Sequence, residues 1–424
     1  MKRLFIIIAG IVVIIGVIAL VYFVFLAPKS ANLTVGDPFS GTGSGTATPS
    51  SDLPTDGVVK NAGTTLAPRF VKITDGPVAH GVIALNVRIP VATTDSVTTD
   101  TVSLSATSST STTTVTTVAT TTPDIGVRFI DRASGNVYAY VVHARTLTRI
   151  SNKTLPGIQQ ASWTPDGTRA YAQFLATSGG SEQINTYALN ATGGDGYLLE
   201  NGLSEAQVVG SSTLFTLFSG STGSVGTLSR ADGSDSHTLF SSLLSAIIVH
   251  PTNRDLFATN RPSSAIDGYA FQINRATGGF SRILGAFPGL SILPNISGSS
   301  LVYSFTDSGT YNLRVYDVAT HSSTALPVAT LSEKCVWAPN GLSIYCAVPT
   351  NLSGNLPDDW YQGAVTFTDR IWKIDLTQRV ATLILDPNQV GKVNVDAVNL
   401  TLDSSEGVLI FTDKHTGALY SYTL

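Results

Sequence analysis

Two segments of the chain share one pattern, Ser162-Trp-Thr-Pro-Asp-Gly-Thr-Arg-Ala-Tyr171 and Val336-Trp-Ala-Pro-Asn-Gly-Leu-Ser-Ile-Tyr345. In both, the central Pro-Asp/Asn-Gly supplies turn chemistry, because Gly adopts positive φ without steric cost and Asp or Asn tolerates it. Aromatic and β-branched residues flank the turn, which is typical of β-strands. Each segment therefore predicts a β-hairpin, and their likeness indicates an internally repeated fold.

A second pair of segments, 129–140 and 411–422, reads as strand, tight turn and strand in both copies. Aligning one strand aromatic per repeat gives spacings of 42, 44, 42, 46, 42 and 66 residues. A period of about 40–45 residues with several short strands is typical of β-propeller blades. An insertion at 351–363 explains the longer last spacing. The seven aligned anchors are Phe129, Tyr171, Phe215, Phe257, Tyr303, Tyr345 and Phe411.

The two ends of the repeated region indicate how the ring closes. The last blade ends at Leu424 without a fourth strand, whereas residues 69–74 match the outer-strand pattern and lead into 78–87, the expected inner strand of blade 1. Pairing 69–74 beside 418–424 would remove two exposed sheet edges, which are otherwise templates for aggregation. The sequence therefore predicts an all-β, seven-bladed β-propeller closed by an N-terminal strand.

The Trp-x-Pro-Asp/Asn-Gly hairpins at Trp163 and Trp337 resemble the WD40-like repeats of TolB-type and peptidase-associated propellers. One blade, from His250 to Gly278, is more similar to the repeats of lactonase-type seven-bladed propellers. Both resemblances cover the propeller only and imply its fold. The two repeat-equivalent tryptophans are expected to pack between blades.

The N-terminus carries the sequence of a membrane anchor. Residues 4–26 contain no charge and are nearly all apolar, and about 20 such residues span a bilayer. Lys2 and Arg3 precede the segment, so the positive-inside rule places 1–3 in the cytoplasm and the propeller outside. A cleaved signal peptide is the alternative, although its apolar region is usually shorter. The expected domains are a cytoplasmic stub (1–3), a transmembrane helix (4–26), a linker (27–65) and the propeller (66–424).

Two tracts lack the large apolar side chains that a core requires. Residues 27–65 are rich in Gly, Ser, Thr and Pro, and 21 of the 33 residues in 91–123 are Ser or Thr. Such composition cannot bury enough surface to offset the entropy of ordering. We expect a flexible linker and a low-complexity loop, and both a plainly solvated and an O-glycosylated loop remain open.

The composition argues against several functional classes. The charged fraction is 13% and the net charge is −4, so the electrostatic pattern of a nucleic-acid-binding protein is absent from the sequence. The six histidines are scattered singly, and no metal-ligand spacing, Gly-x-Ser-x-Gly elbow or P-loop occurs. The sequence thus predicts no catalytic, cofactor-binding or metal-binding residue.

The two cysteines, Cys335 and Cys346, flank the turn at Asn340-Gly341 symmetrically. Residues directly opposed in a hairpin have Cβ atoms about 4.5–5.5 Å apart, near enough for a disulfide. An oxidising compartment would permit that bond. A structural disulfide is the favoured interpretation, and a free pair of thiols is the alternative.

Trp360 and Tyr361 lie with two aspartates in the insertion, and an exposed aromatic pair on a propeller rim is a candidate partner contact. The alternative is that the pair covers a hydrophobic edge of its own blade.

The sequence therefore predicts an anchored, extracytoplasmic, non-catalytic module that binds or scaffolds a protein, peptide or glycan. A lactonase-like or glycan-processing hydrolase with its site at the propeller channel is the alternative function.

Overall fold

The computed structural model describes residues 68–90, 121–178 and 181–424. The predicted stub and membrane helix (1–26), the linker (27–65) and most of the Ser/Thr tract (91–120) lie outside these ranges. Across the described ranges no helix combines the length and apolarity needed to cross a bilayer. The predicted loop 91–123 is wrong at its end, because 121–123 already belong to a strand.

The described residues form seven four-stranded antiparallel sheets, which confirms the all-β seven-bladed propeller. The first three blades contain β2 (Ile83–Pro90), β3 (Thr121–Ile130), β4 (Val137–Val141) and β5 (Thr146–Arg149); β6 (Ile158–Trp163), β7 (Arg169–Ser178), β8 (Ser181–Asn190) and β9 (Tyr197–Leu198); and β10 (Leu203–Val209), β11 (Thr213–Gly220), β12 (Gly223–Arg230) and β13 (His237–Ser242).

Blades 4 and 5 contain β14 (Ile247–Pro251), β15 (Leu256–Asn260), β16 (Asp267–Ile273) and β17 (Phe280–Pro288); and β18 (Ser291–Pro294), β19 (Ser300–Asp307), β20 (Thr310–Asp317) and β21 (Ser322–Ala325). Blades 6 and 7 contain β22 (Cys335–Trp337), β23 (Ser343–Pro349), β24 (Asp369–Asp375) and β25 (Val380–Leu385); and β26 (Ala397–Leu402), β27 (Val408–Asp413), β28 (Leu419–Thr423) and β1 (Phe70–Lys72). Two short helices, α1 (Asp358–Tyr361) and α2 (Pro387–Gly391), lie in the loops around β24 and β25.

Burial follows the position of a strand within its blade. All six residues of β27, a second strand, are buried, whereas all four residues of β5, a fourth strand, are exposed. Middle strands are covered on both faces because each sheet stacks between two others. The sequence of β27 is accordingly a run of apolar residues at 408–411. Third strands such as β16 and β20 instead alternate between buried and partly buried positions.

The repeated hairpins have the same turn in both copies. The Asp131 carboxylate accepts from the backbone N–H and hydroxyl of Ser134 at 2.8 and 2.6 Å. Asp413 does the same with Thr416 at 3.1 and 2.6 Å. Gly135 follows the first turn with φ of 70°, and a Cβ there would lie 2.0 Å from a backbone oxygen. The repeat seen in the sequence is thus a repeat of turn chemistry.

The N-terminal strand closes the ring as predicted. β1 pairs with β28 in the register Phe70↔Tyr422 and Lys72↔Tyr420. The Phe70 ring stacks on Tyr420 and Phe411, with centroids 5.4 and 6.2 Å apart. The last sheet is therefore built from both ends of the propeller sequence.

The predicted start of the first inner strand at Val78 is wrong, since β2 begins at Ile83. The backbone N–H of Val78 donates to Gly417 in blade 7, and that of Ala79 donates to Ile130 in blade 1. This segment crosses three blades before it turns into the ring, because His80 bridges to Gln160 in blade 2.

All seven anchor aromatics lie on the second strand of a blade and are at most 3% exposed. Each belongs to an apolar cluster between two neighbouring blades. Phe129, Tyr303 and Phe411 pack in the cluster shared with the preceding blade, whereas the other four pack toward the following blade. The spacing of the aromatics therefore predicts the strand on which each one lies, but not the neighbouring blade against which it packs.

Trp163 and Trp337 serve blade packing, as expected. The Trp163 indole donates to the Gly81 carbonyl at 3.0 Å, and that of Trp337 donates to the Leu293 carbonyl at 2.9 Å. Both acceptors belong to the preceding blade, so each indole hydrogen-bonds one blade to the one before it.

We expect Phe70→Ala to lower the free energy of unfolding by about 2–3 kcal/mol, because the change removes a partly buried ring from the closing strand. The midpoint of urea unfolding would fall at an unchanged slope. Lys72→Ala is the matched control, since Lys72 lies on the same strand and its ion pair with Asp75 is exposed. Equal midpoints for the two variants would contradict a stabilising role for closure.

Candidate functional site

The two ends of the ring differ in what their loops carry. Successive strands are antiparallel, so loops from second to third strands and from fourth strands to the next blade lie on one side, here called the upper rim. The insertion between β23 and β24 lies on the upper rim, and so do the loops before β22 and β26. The upper rim therefore gathers the irregular segments of blades 5 to 7.

A buried ion cluster lies beneath the insertion. The Lys334 ammonium is 2.8 Å from the Asp369 carboxylate and also contacts Asp396, and all three side chains are at most 1% exposed. Asp396 also accepts from the Trp360 indole at 3.0 Å and the Phe367 backbone N–H at 3.1 Å. We call Lys334, Asp369 and Asp396 the Lys334 cluster.

The charges of the Lys334 cluster are buried away from solvent. Burial raises the pKa of Asp369 to about 6, against the opposing effect of the Lys334 charge. Breaking such a buried pair is usually strongly destabilising, because the remaining charge stays buried. Asp369 also accepts from the Ala397 backbone N–H at 2.7 Å, which ties blade 6 to blade 7.

The insertion is fastened to four blades. The Asp358 carboxylate accepts from the Ser264 backbone N–H of blade 4 at 2.6 Å. Thr306 of blade 5 donates to the Leu356 carbonyl at 2.9 Å. Lys414 of blade 7 donates to the Trp360 carbonyl, and the Lys334 cluster joins the insertion to blade 6. The insertion therefore forms a fixed part of the upper rim.

The expectation that Trp360 and Tyr361 form an exposed pair is wrong for Trp360, which is 4% exposed. Its indole is buried because it hydrogen-bonds Asp396 and packs with Leu331, Leu356 and Phe367. Tyr361 is 38% exposed, while its hydroxyl points inward and donates to Glu333. Only the Tyr361 ring offers an aromatic surface here.

A cavity of about 160 Å³ lies beside the insertion. Hydroxyl, amide and backbone groups dominate its lining, and its lining side chains carry no charge. Such a lining suits an uncharged partner group that can exchange hydrogen bonds. The polar lining side chains are Ser264, Thr306, Tyr311, Ser353 and Asn355.

Two glutamates are associated with the innermost strands. Glu205 on β10 accepts from the Val249 backbone N–H of blade 4 at 3.2 Å and from the Gln207 side chain at 2.9 Å, and burial raises its pKa to about 7. Glu333, just before β22, accepts from the hydroxyls of Ser291 and Tyr361, and burial raises its pKa too. Each carboxylate links neighbouring segments of the ring.

The histidines stay separate. Burial lowers the pKa of His250 to about 4, His80 contacts Asn399, and His143 lies 2.7 Å from Asp124 in a loop of blade 1. Throughout the part of the chain that the structure describes, no group of three His, Cys, Asp or Glu could hold a metal ion.

The two cysteines oppose each other in the β22–β23 pair, and their sulfur atoms are 2.08 Å apart, as in a disulfide.

The sequence interpretation missed Lys334, Glu333 and Glu205. A usable signal existed for the first two, because an adjacent Glu-Lys pair directly precedes the apolar inner strand at Cys335. Charges at such a position are almost never buried unless paired.

No protein-family model matches the chain, and no curated protein matches it. Among solved structures, the chain is similar to an oligogalacturonate lyase in complex with manganese (12% identity, TM-score 0.49, covering 71% of this chain and 86% of that one). It is similar to TolB from Acinetobacter baumannii (10%, 0.41, 61% and 75%). It is also similar to the Cps50 (Swd1) β-propeller domain from Myceliophteria thermophila (9%, 0.44, 70% and 93%). The similarity to these neighbours is one of propeller fold.

We expect Glu205→Gln to stabilise the protein at pH 8.5 by on the order of 1–3 kcal/mol and to change little at pH 5. The folded pKa of about 7 lies above the ordinary 4.5. The stability contributed by the protonated carboxyl is therefore present at low pH and lost as the pH rises through 7, and Gln mimics the protonated form. Thermal melts at both pH values measure the difference.

Asp317→Asn is the control of opposite sign. Hydrogen bonds from Thr320 hold the pKa of Asp317 below its ordinary value, so removing that charge should destabilise at pH 8.5. A Glu205→Gln variant that is also less stable at pH 8.5 would show that the carboxylate is stabilised where it lies.

Proposed function

We propose that the protein is a membrane-anchored, extracytoplasmic propeller that binds a protein, peptide or glycan through the upper rim and performs no catalysis. The fastening of the insertion to blades 4 to 7 is the observation that carries this proposal. Loops fixed on a rigid scaffold are common binding surfaces. Binding to a rim that is already ordered costs little entropy.

The exposed chemistry of the rim supports a neutral, hydrogen-bonding partner. Asn355 and Gln362 are exposed on the insertion, beside the partly exposed Tyr361 ring. The neighbouring cavity offers hydroxyl and amide groups. Amides, hydroxyls and one aromatic ring suit a peptide backbone or a sugar, which both pair polar groups with a flat apolar face.

The acidic groups of this region are engaged in the fold. Asp369 and Asp396 are closed off with Lys334, and Glu333 is hydrogen-bonded by Ser291 and Tyr361. Carboxylates that hold segments together are not presented to a substrate. Their arrangement supports a binding surface rather than a reactive centre.

The proposed address rests on the sequence of 1–26 and on the cysteine pair. Residues 4–26 have the length and apolarity of a spanning helix. Disulfides persist in extracytoplasmic compartments and are rare in the cytosol. Both features are in accord with a propeller outside the membrane.

The address predicts which side of the membrane an exposed thiol of the propeller faces. Because Cys335 and Cys346 are buried, the test uses Leu342→Cys, at a position that is 61% exposed, in a chain that also carries Cys335→Ala and Cys346→Ala. A membrane-impermeant maleimide should label this thiol in intact cells, and the same chain without Leu342→Cys is the control for background. Labelling that requires permeabilised cells would place the propeller inside and overturn the address.

The rim predicts the positions of partner contact. A photo-crosslinking amino acid at Asn355 or Gln362 of the full chain in native membranes should capture a discrete partner. Leu342, 61% exposed in the turn between β22 and β23 on the opposite side, is the matched control position. Crosslinks equal at all three positions, or only at Leu342, would contradict the upper rim as the binding face.

A hydrolase with its site at the channel is the second candidate, and one observation favours it. The Glu205 carboxyl has a pKa of about 7, which suits a general acid or base near neutral pH. Turnover of a lactone or glycan by the full chain, lost in Glu205→Gln and kept in Asp317→Asn, would replace the binding proposal.

A further inference from the structure

A groove of about 580 Å³ opens between blades 2 and 3, away from the insertion. Its floor is the face of blade 3 that looks toward blade 2. Alternate residues on β11 and β12 share this face because side chains in a strand alternate between its two sides. The three cross-strand pairs of the floor are Leu214↔Ser229, Thr216↔Thr227 and Phe218↔Val225.

The groove exists because the fourth strand of blade 2 is short. β9 has two residues, whereas the other fourth strands have three to nine. Three glycines at 193, 194 and 196 precede β9, and Gly193 has a φ of 83°. The turn therefore uses chain length that would otherwise extend the strand over blade 3.

The seam behind the groove is thinly packed. The buried apolar cluster between blades 2 and 3 consists of Tyr171, Ala188, Ala206 and Leu214. Two of these four residues are alanines, and three further side chains that pack against the cluster are only partly buried: Tyr197, Leu199 and Val208. Apolar groups remain at the surface beside them, with Leu198 57% exposed and Phe218 45% exposed.

Acidic groups border this apolar strip. Glu200 and Asp232 line the groove, and neither forms an ion pair within the described ranges. Hydrogen bonds from Ser234 hold the pKa of Asp232 below its ordinary value, so it is ionised at neutral pH. The nearby Arg230 is paired with Asp235 at 2.8 Å. The Arg169 guanidinium donates to the Ala231 carbonyl at 2.9 Å and lies 5.7 Å from the centre of the Tyr197 ring. The lining itself contains no basic residue.

We propose that this groove binds an extended peptide segment of a partner protein, with apolar side chains at alternate positions and a Lys or Arg beside them. Such a segment would continue the line of β9 across the floor. It would fit there because stacked sheets are about 10 Å apart, which leaves room for one layer of interdigitated side chains. Its apolar side chains would cover Phe218 and Leu214. Its backbone would meet the hydroxyls of Thr216 and Thr227. A basic side chain at one end of the segment would meet Asp232, and a basic side chain at the other end would meet Glu200.

The charge selects this occupant over others. An acidic peptide, a phosphate or a uronate would face two carboxylates without a cation among the lining residues. The groove lies between blades 2 and 3, whereas the insertion contacts blades 4 to 7. A negative result at one surface would therefore leave the proposal for the other surface unaffected.

Random heptapeptides displayed on phage would be selected on the full chain in detergent, with counter-selection on its Phe218→Ala variant. We expect enriched peptides to combine a Lys or Arg with alternating apolar residues. A fluorescein-labelled copy of an enriched peptide would then be titrated by anisotropy. Phe218→Ala and Asp232→Asn should each weaken binding by about fivefold or more, and added salt should weaken the wild type more than Asp232→Asn.

Leu342→Ala is the matched control, because Leu342 is an exposed apolar residue far from the groove, and binding should be unchanged. The proposal is overturned by a failure to enrich any peptide, by enriched peptides without a basic residue, or by equal binding to all variants. Self-association of the full chain that Phe218→Ala abolishes would show a second copy as the occupant instead.

Discussion

Burial of each sheet between two others is the constraint on which this structure depends. All six residues of β27, a second strand, are buried. A blade without neighbours would expose these side chains to water. The ring must therefore close, and β1 provides the last strand of blade 7 from the other end of the propeller. The Arg69 guanidinium donates to the Thr423 carbonyl across 354 residues of sequence. The entropic cost of such a closure grows only slowly with length, so a long chain tolerates it.

Closure alone does not fix how blades 6 and 7 sit against each other, and buried polar groups add that information. Asp369 lies on β24, Asp396 lies directly before β26, and Lys334 lies between the two carboxylates. A buried charge tolerates few alternative geometries because each lost partner is costly. The same carboxylate, Asp396, holds the indole of Trp360. The position of the insertion, and with it the shape of the upper rim, is thereby coupled to the packing of two blades.

Local chemistry explains which parts of this fold could be predicted from the sequence. Three features depend on residues that are near in sequence or on the repeat period of about 42 residues. They are the turns at Asp131 and Asp413, the opposed pair Cys335 and Cys346, and the closing strand. The face of each anchor aromatic was not predictable, because turns of varying length shift the strand phase by one residue. That Trp360 covers a hydrophobic edge of its blade was one of the two alternatives that the sequence offered, but its hydrogen bond to Asp396 was not predictable. That hydrogen bond depends on Asp396, whose place beneath the insertion follows only from the assembled ring.

The seams of the ring differ in how much packing they contain, and this difference bears on where partners bind. The seam between blades 6 and 7 has thirteen buried apolar residues, the Lys334 cluster and the insertion. The seam between blades 2 and 3 has four. A ligand entering the first seam would have to displace well-packed side chains, whereas one entering the second would cover apolar surface that water now contacts. We therefore propose partner contacts on top of the rigid seam, at the upper rim, and within the open seam, at the groove.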